Sequence, residues 1–193
     1  MRIFELRIAV SNSHVHLSRD DTRRLFGVDE LEGRSARGHA KFLATACTVA
    51  LVGPRGSLER VRVLSPCTKE TWVELNRTHA FILGLDPPLE EGSLPDGAVT
   101  LRGPTGELTL HKNVILEARH LEVTRDEARR WDLEAGQLVS AELGGPRALV
   151  FKNVKVRVLD AAKDTFEGCL ELDRDEANAA MVGPKDRARI LVE

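Results

Sequence analysis

The sequence predicts a mainly β fold with short helices, arranged as two pseudo-repeated small β-barrel domains capped by helices, and three observations predict it. First, the chain aligns with itself. His14-Val15-His16-Leu17-Ser18-Arg19-Asp20-Asp21 matches His120-Leu121-Glu122-Val123-Thr124-Arg125-Asp126-Glu127, and Glu74-Leu75-Asn76-Arg77 matches Glu171-Leu172-Asp173-Arg174. Both spacings lie near half of the 193-residue length, which marks a duplicated unit of about 100 residues. Second, turn signals recur: Gly53-Pro54-Arg55-Gly56 and Gly103-Pro104-Thr105-Gly106 each sit between β-rich runs, as hairpin turns do. Third, 42% hydrophobic residues suffice to fill a core, and they fall in short strand-like runs with only a few short helical ones.

Each element follows from local pattern. The alternating run from Ile3 through Glu5 and Arg7 to Ala9 reads as an opening strand rather than a secretory signal. Apolar alternation continues through Val15 and Leu17. Ser18 then stands three residues before Asp21, the capping-box spacing that starts a helix carrying Arg23 and Arg24 on a solvated face. Phe42 to Val52, the most apolar stretch, falls well short of the roughly 18 residues that cross a bilayer. Past the first turn, Leu58 to Leu64 is β-rich, and Glu74 closes a strand leading into a helix from Thr78 to Leu83. Asp86 to Gly97, with Pro87, Pro88 and Pro95, reads as the linker. A β-rich run from Leu108 to Leu116 follows the second turn. Thr124 and Glu127 then repeat the helix start before Arg129 and Arg130, and Glu171 closes a strand leading into a helix from Asp175 to Met181.

Composition excludes several classes. With 28 basic and 30 acidic residues and a net charge of −2, no basic block invites nucleic acid or an anionic membrane. Cys47, Cys67 and Cys169 are odd in number and widely spaced, which argues against a disulfide framework or a cysteine-built zinc site and for reduced, structural thiols. No Gly-x-Gly-x-x-Gly, phosphate-binding Gly-x-x-x-x-Gly-Lys-Ser/Thr or Gly-x-Ser-x-Gly motif occurs, disfavouring dinucleotide and serine-hydrolase chemistry.

Residues i and i+2 of a strand face one side, so His14 and His16 present two imidazoles to one point. A carboxylate brought in by the fold would complete a three-ligand site with an open position. The repeat supplies one in each half, giving two related candidate metal sites: His14, His16 and Glu74, and His120, Glu122 and Glu171. The same pattern is also compatible with ordinary hydrogen-bonded histidines, and with Glu74 and Glu171 pairing to Arg77 and Arg174. His39, His79 and His111 have no partner in the repeat and read as structural.

Five motifs carry a resemblance: Val10-Ser11-Asn12-Ser13-His14-Val15-His16-Leu17-Ser18, Leu51-Val52-Gly53-Pro54-Arg55-Gly56, Val61-Arg62-Val63-Leu64, Arg119-His120, and Asp175-Glu176-Ala177-Asn178-Ala179-Ala180. In this order, through essentially the whole chain, they resemble the phosphate propanoyltransferase family of phosphotransacylases. The resemblance implies two helix-capped β-barrels with the active site between them, divided here as 12–113 and 114–193 with the N-terminal strand 1–11 joining the latter. It also implies zinc or another divalent metal, and exchange of coenzyme A and phosphate on a short-chain acyl group. Carried over, it places the first metal on His14, His16 and Glu74, and coenzyme A along Val10, Ser11, Asn12, Arg55, Arg62 and Asn178. It further implies a homodimer. With the first strand beginning near residue 3, it favours the cytoplasm over a microcompartment, whose residents carry an N-terminal extension.

The phosphate half departs from the family pattern. His120-Leu121-Glu122 stands where a second His-x-His is expected, Glu171 where a third histidine is expected, and Thr68 where a phosphate-binding arginine precedes Lys69, which leaves Thr68 and Lys69 as the catalytic positions. Two ionised carboxylates cancel a divalent ion's charge where imidazoles would leave it at +2, weakening attraction for a dianionic phosphate. Two other readings therefore stand beside the transferase: a one-metal thioester hydrolase or other acyl-CoA enzyme, and a catalytically silent binding paralogue.

Overall fold

The structure, a computed structural model, describes residues 2–34, 42–90, 94–95, 97–160 and 166–193. In chain order the elements begin with β1 (Arg2–Ser11), β2 (His14–Ser18), α1 (Arg19–Phe26), β3 (Gly33–Arg34), β4 (Leu43–Val52), β5 (Ser57–Thr68), β6 (Trp72–Leu75) and α2 (Arg77–Leu83). They continue with β7 (Val99–Arg102), β8 (Glu107–Leu110), β9 (Val114–Leu116), β10 (His120–Thr124), α3 (Arg125–Trp131), β11 (Leu138–Leu143), β12 (Leu149–Leu159), β13 (Cys169–Asp173), α4 (Arg174–Ala180) and β14 (Arg187–Val192). The protein is mainly β with short helices, as the repeats and turn signals predict.

Two compact units result, one of Asn12–Glu117 and one of Met1–Ser11 with Ala118–Glu193. In the second, six strands close a barrel in the order β1-β13-β10-β12-β11-β14. In the first, the strand order is β8-β7-β4-β5-β2-β6-β9, with β3 paired to β4. β9, which a division at 113/114 assigns to the other half, pairs in parallel with β6 and so belongs to Asn12–Glu117.

The repeat is a repeat of pairing. β2 lies between a parallel neighbour, β5, and an antiparallel one, β6; β10 lies between parallel β12 and antiparallel β13. His14 stands opposite Glu74, and His120 opposite Glu171. Strand alternation sends Val15, Leu17, Val63, Val73 and Leu75 into one core and Leu121, Val123, Val156, Leu170 and Leu172 into the other. The histidines and glutamates are left on the opposite face of each sheet.

The Gly-Pro-x-Gly tetrads are tight turns, each closed by a 2.9 Å bond from the first glycine's N–H to the last one's carbonyl. Each also takes the end of a helix. Arg55 N donates to Leu83 O at the end of α2, and Thr105 N donates to Leu25 O at the end of α1. A Cβ on Gly53 or Gly103 would collide with that same carbonyl, so only glycine allows the approach.

The proline-rich stretch beginning at Asp86 is not a linker between units. It lies inside Asn12–Glu117, buries Pro87 and Leu94, and bonds Leu116 through Pro88 O and Glu90 N. Its prolines and acids mimic a linker, but Pro87 and Leu94 anchor it. No helix among the described residues is long and apolar enough to cross a membrane.

Candidate metal centre

In the first cluster, ligand atoms of His14, His16 and Glu74 all lie within 4.8 Å of one another. His14 Nδ1 donates to Asn12 O at 2.8 Å, which fixes the tautomer and turns the Nε2 lone pair inward. That Nε2 is 3.0 Å from His16 Nε2 and 3.6 Å from Glu74 Oε2, and His16 Nε2 is 4.0 Å from Glu74 Oε1. Ligands about 2.0–2.1 Å from a shared tetrahedral ion stand roughly 3.3 Å apart, so this donor set fits a divalent metal with little adjustment. Both imidazoles are buried.

Aromatic side chains hold the ligands. Trp72 stacks on His16 with centroids 4.1 Å apart, and its Nε1–H donates to Glu74 Oε1 at 2.8 Å. Phe42 meets the His16 ring edge-on at 4.3 Å. Arg77 pairs with Asp86, while Glu74 is engaged by the two histidines and Trp72, so the alternative Glu74–Arg77 pairing is not the one formed.

The second cluster has the same skeleton: His120, Glu122 and Glu171 also offer ligand atoms within 4.8 Å. His120 Nδ1 donates to Ala118 O at 2.9 Å, and His120 Nε2 lies 3.7 Å from Glu122 Oε1 and 3.6 Å from Glu171 Oε2. Burial and the Arg157 guanidinium both oppose the imidazolium. Glu122, Glu171 and the Ala118 carbonyl outweigh them and hold the His120 pKa above its ordinary value. Arg157, on β12 directly across from Glu122, brings Nη1 to 3.1 Å from His120 Nε2.

The remaining predicted residues are spread over both units. Val10 and Ser11 end β1 and Asn178 is exposed on α4 in the barrel unit. In the other unit, Asn12 is exposed before β2, Arg55 is exposed on the first turn with its guanidinium 5.1 Å from the Phe81 ring, and Arg62 on β5 donates to Thr45 O. The Thr68 hydroxyl is engaged with the backbone carbonyls of Leu17 and Glu70, and Lys69 is exposed. Arg119 and Arg125 pair with Glu176 and Asp160.

His79 Nδ1 lies 2.7 Å from Ser13 Oγ, consistent with a structural histidine; His111 is exposed, and His39 lies outside the described residues. All three cysteines are free thiols, and burial pushes the Cys169 thiol up beyond any physiological titration. Cys67 Sγ contacts Thr22 Oγ1 at 3.3 Å and Asp29 O at 3.5 Å, neither of them a base that would activate it.

A duplicated β scaffold carrying one His/Glu cluster on each sheet, on the face away from its core, defines a candidate metal-dependent protein, built twice from one plan. Comparison makes the class particular. A family model described as phosphate propanoyltransferase matches residues 7–183. A phosphate propanoyltransferase of Rhodopseudomonas palustris is 39% identical over 190 residues, covering 97% of this chain and 82% of that protein. One from Thermotoga maritima is 37% identical over 189 residues, covering 95% and 88%. One from Shewanella putrefaciens is 36% identical over 196 residues, covering 100% and 91%. The chain belongs to the phosphate propanoyltransferase family, a family of acyltransferases.

Proposed function

We propose that the protein exchanges coenzyme A and inorganic phosphate on a short-chain acyl group, turning acyl-CoA and phosphate into acyl phosphate and CoA. The observation that carries this reading is the His14/His16/Glu74 donor set in a chain of this family. Those three side chains would hold a divalent ion. When bound, such an ion supplies Lewis acidity to the thioester.

The protein's own groups do the rest. In this reading Arg55 and Arg62, the two surface guanidinia of the predicted coenzyme A set, meet the cofactor's phosphates, and Val10, Ser11, Asn12 and Asn178 orient the pantetheine arm. Lys69 offers an exposed ammonium to the incoming phosphate, and the neighbouring Thr68, whose hydroxyl is bound to backbone, shapes that position. A phosphate oxygen bonds to the acyl carbon as the carbon–sulfur bond breaks, and CoA leaves as a thiolate that takes up a proton. No side-chain nucleophile is required.

The test is CoA release from a short acyl-CoA, with and without phosphate, before and after chelation. Release that needs both phosphate and metal is the expected result. Phosphate-independent release would replace the transferase with a hydrolase, and CoA binding without turnover would leave a silent paralogue.

A further inference from the structure

The two clusters share one ladder; besides Trp72 opposite His16 where Cys169 stands opposite Glu122, they differ at two linked positions. In the first, His16 stands beside Leu64 on the parallel neighbour; in the second, Glu122 stands beside Arg157. The histidine-to-glutamate difference adds a negative charge to the second cluster, and the leucine-to-arginine difference adds a positive one on the adjoining strand. With neutral imidazoles each cluster then carries the same net charge of −1: one carboxylate in the first, two carboxylates and a guanidinium in the second.

Geometry assigns the arginine its place. His120 Nδ1–H is spent on Ala118 O, so the only ring lone pair is on Nε2, the atom a metal would need. Arg157 Nη1 lies within hydrogen-bond distance of that atom, at 3.1 Å. A divalent ion would have to take the lone pair from the guanidinium and sit next to its charge. We infer that Arg157 is the built-in cation of the second cluster, that it excludes a metal from His120, Glu122 and Glu171, and that the chain holds one divalent ion rather than two.

The second half of this statement rests on the metal reading of the first cluster; the exclusion by Arg157 does not. Full-length protein, loaded with Zn2+ and desalted, is assayed for zinc per chain by elemental analysis, with circular dichroism as the check on folding. One equivalent is expected for the unaltered protein, none for His16→Ala, two for Arg157→Ala and one for the double variant. Two equivalents in the unaltered protein, or one in His16→Ala, would overturn the proposal without any change at Arg157. So would a folded Arg157→Ala that binds no more zinc than its parent. If the parent binds none and Arg157→Ala binds one, the exclusion stands and the metal reading of His14, His16 and Glu74 falls.

Discussion

Trp72 serves two ligands at once: its ring lies flat against His16 and its N–H fixes one oxygen of Glu74. Groups that orient metal ligands in this way commonly contribute ten- to a hundred-fold in affinity. Trp72→Phe keeps a stacking ring but loses the hydrogen bond. Its Zn2+ affinity should drop by about ten-fold, read by calorimetric titration, and Trp72→Ala should lose more. Affinity in Trp72→Phe equal to the parent's would show that Glu74 needs no such tether. Neither Trp72 nor Arg157 was legible in the sequence, and the reason is the same for both. The ligands themselves announce their shared face through the i, i+2 spacing and the internal alignment. Their supporters sit at unmarked positions whose relevance depends on strand register, which no local pattern encodes.

At the level of elements, the four helices among the described residues are short, seven or eight residues, and too short to be stable alone. Each starts where a sheet strand ends, at a side-chain cap: Ser18, Asn76, Thr124 and Asp173. The Ser18 and Thr124 starts could be read from spacing because capping uses residues three apart. Leu108 to Leu116 could not be resolved in the same way. It breaks into β8 and β9 around Asn113, whose positive φ of 59° ends one pairing and begins another. Asp173 gives a testable pH dependence. Its Oδ1 accepts from Glu176 N at 2.8 Å, yet burial dominates and pushes its carboxyl above the usual range. Burial likewise raises Glu176 against the pull of Arg119. A carboxyl raised by folding contributes stability that is complete below its unfolded pKa and is lost as pH climbs through the folded one. Asp173→Asn keeps the cap without the charge. Its stability relative to the parent should therefore grow as pH rises through that window and then level off, measured by urea unfolding at a series of pH values. A difference that stays flat with pH would refute the assigned shift.

Across the whole molecule the duplication has kept the scaffold and changed the charge chemistry. Each unit has its own apolar core, and each core backs one His/Glu cluster. The sequence carries this plan because a repeat conserves both the strand pattern and the ligand spacing; the proline-rich stretch misleads because its composition hides the burial of Pro87 and Leu94. If only the first cluster takes a divalent ion, metal should stabilise the two units unequally. At free metal a hundred-fold above the dissociation constant, a single site stabilises its folded unit by about 2.7 kcal/mol, roughly a hundred-fold in its opening equilibrium. Amide hydrogen exchange on the intact chain, with Zn2+ and then with chelator, reads this directly. Removing the metal should speed exchange in β2, β5 and β6 by up to that factor and leave β10, β12 and β13 unchanged. Equal acceleration in both sets would mean that the second cluster also loses an ion. No change in either would mean that neither cluster had bound one, and with it the metal-dependent reading of the family fold in this chain would fail.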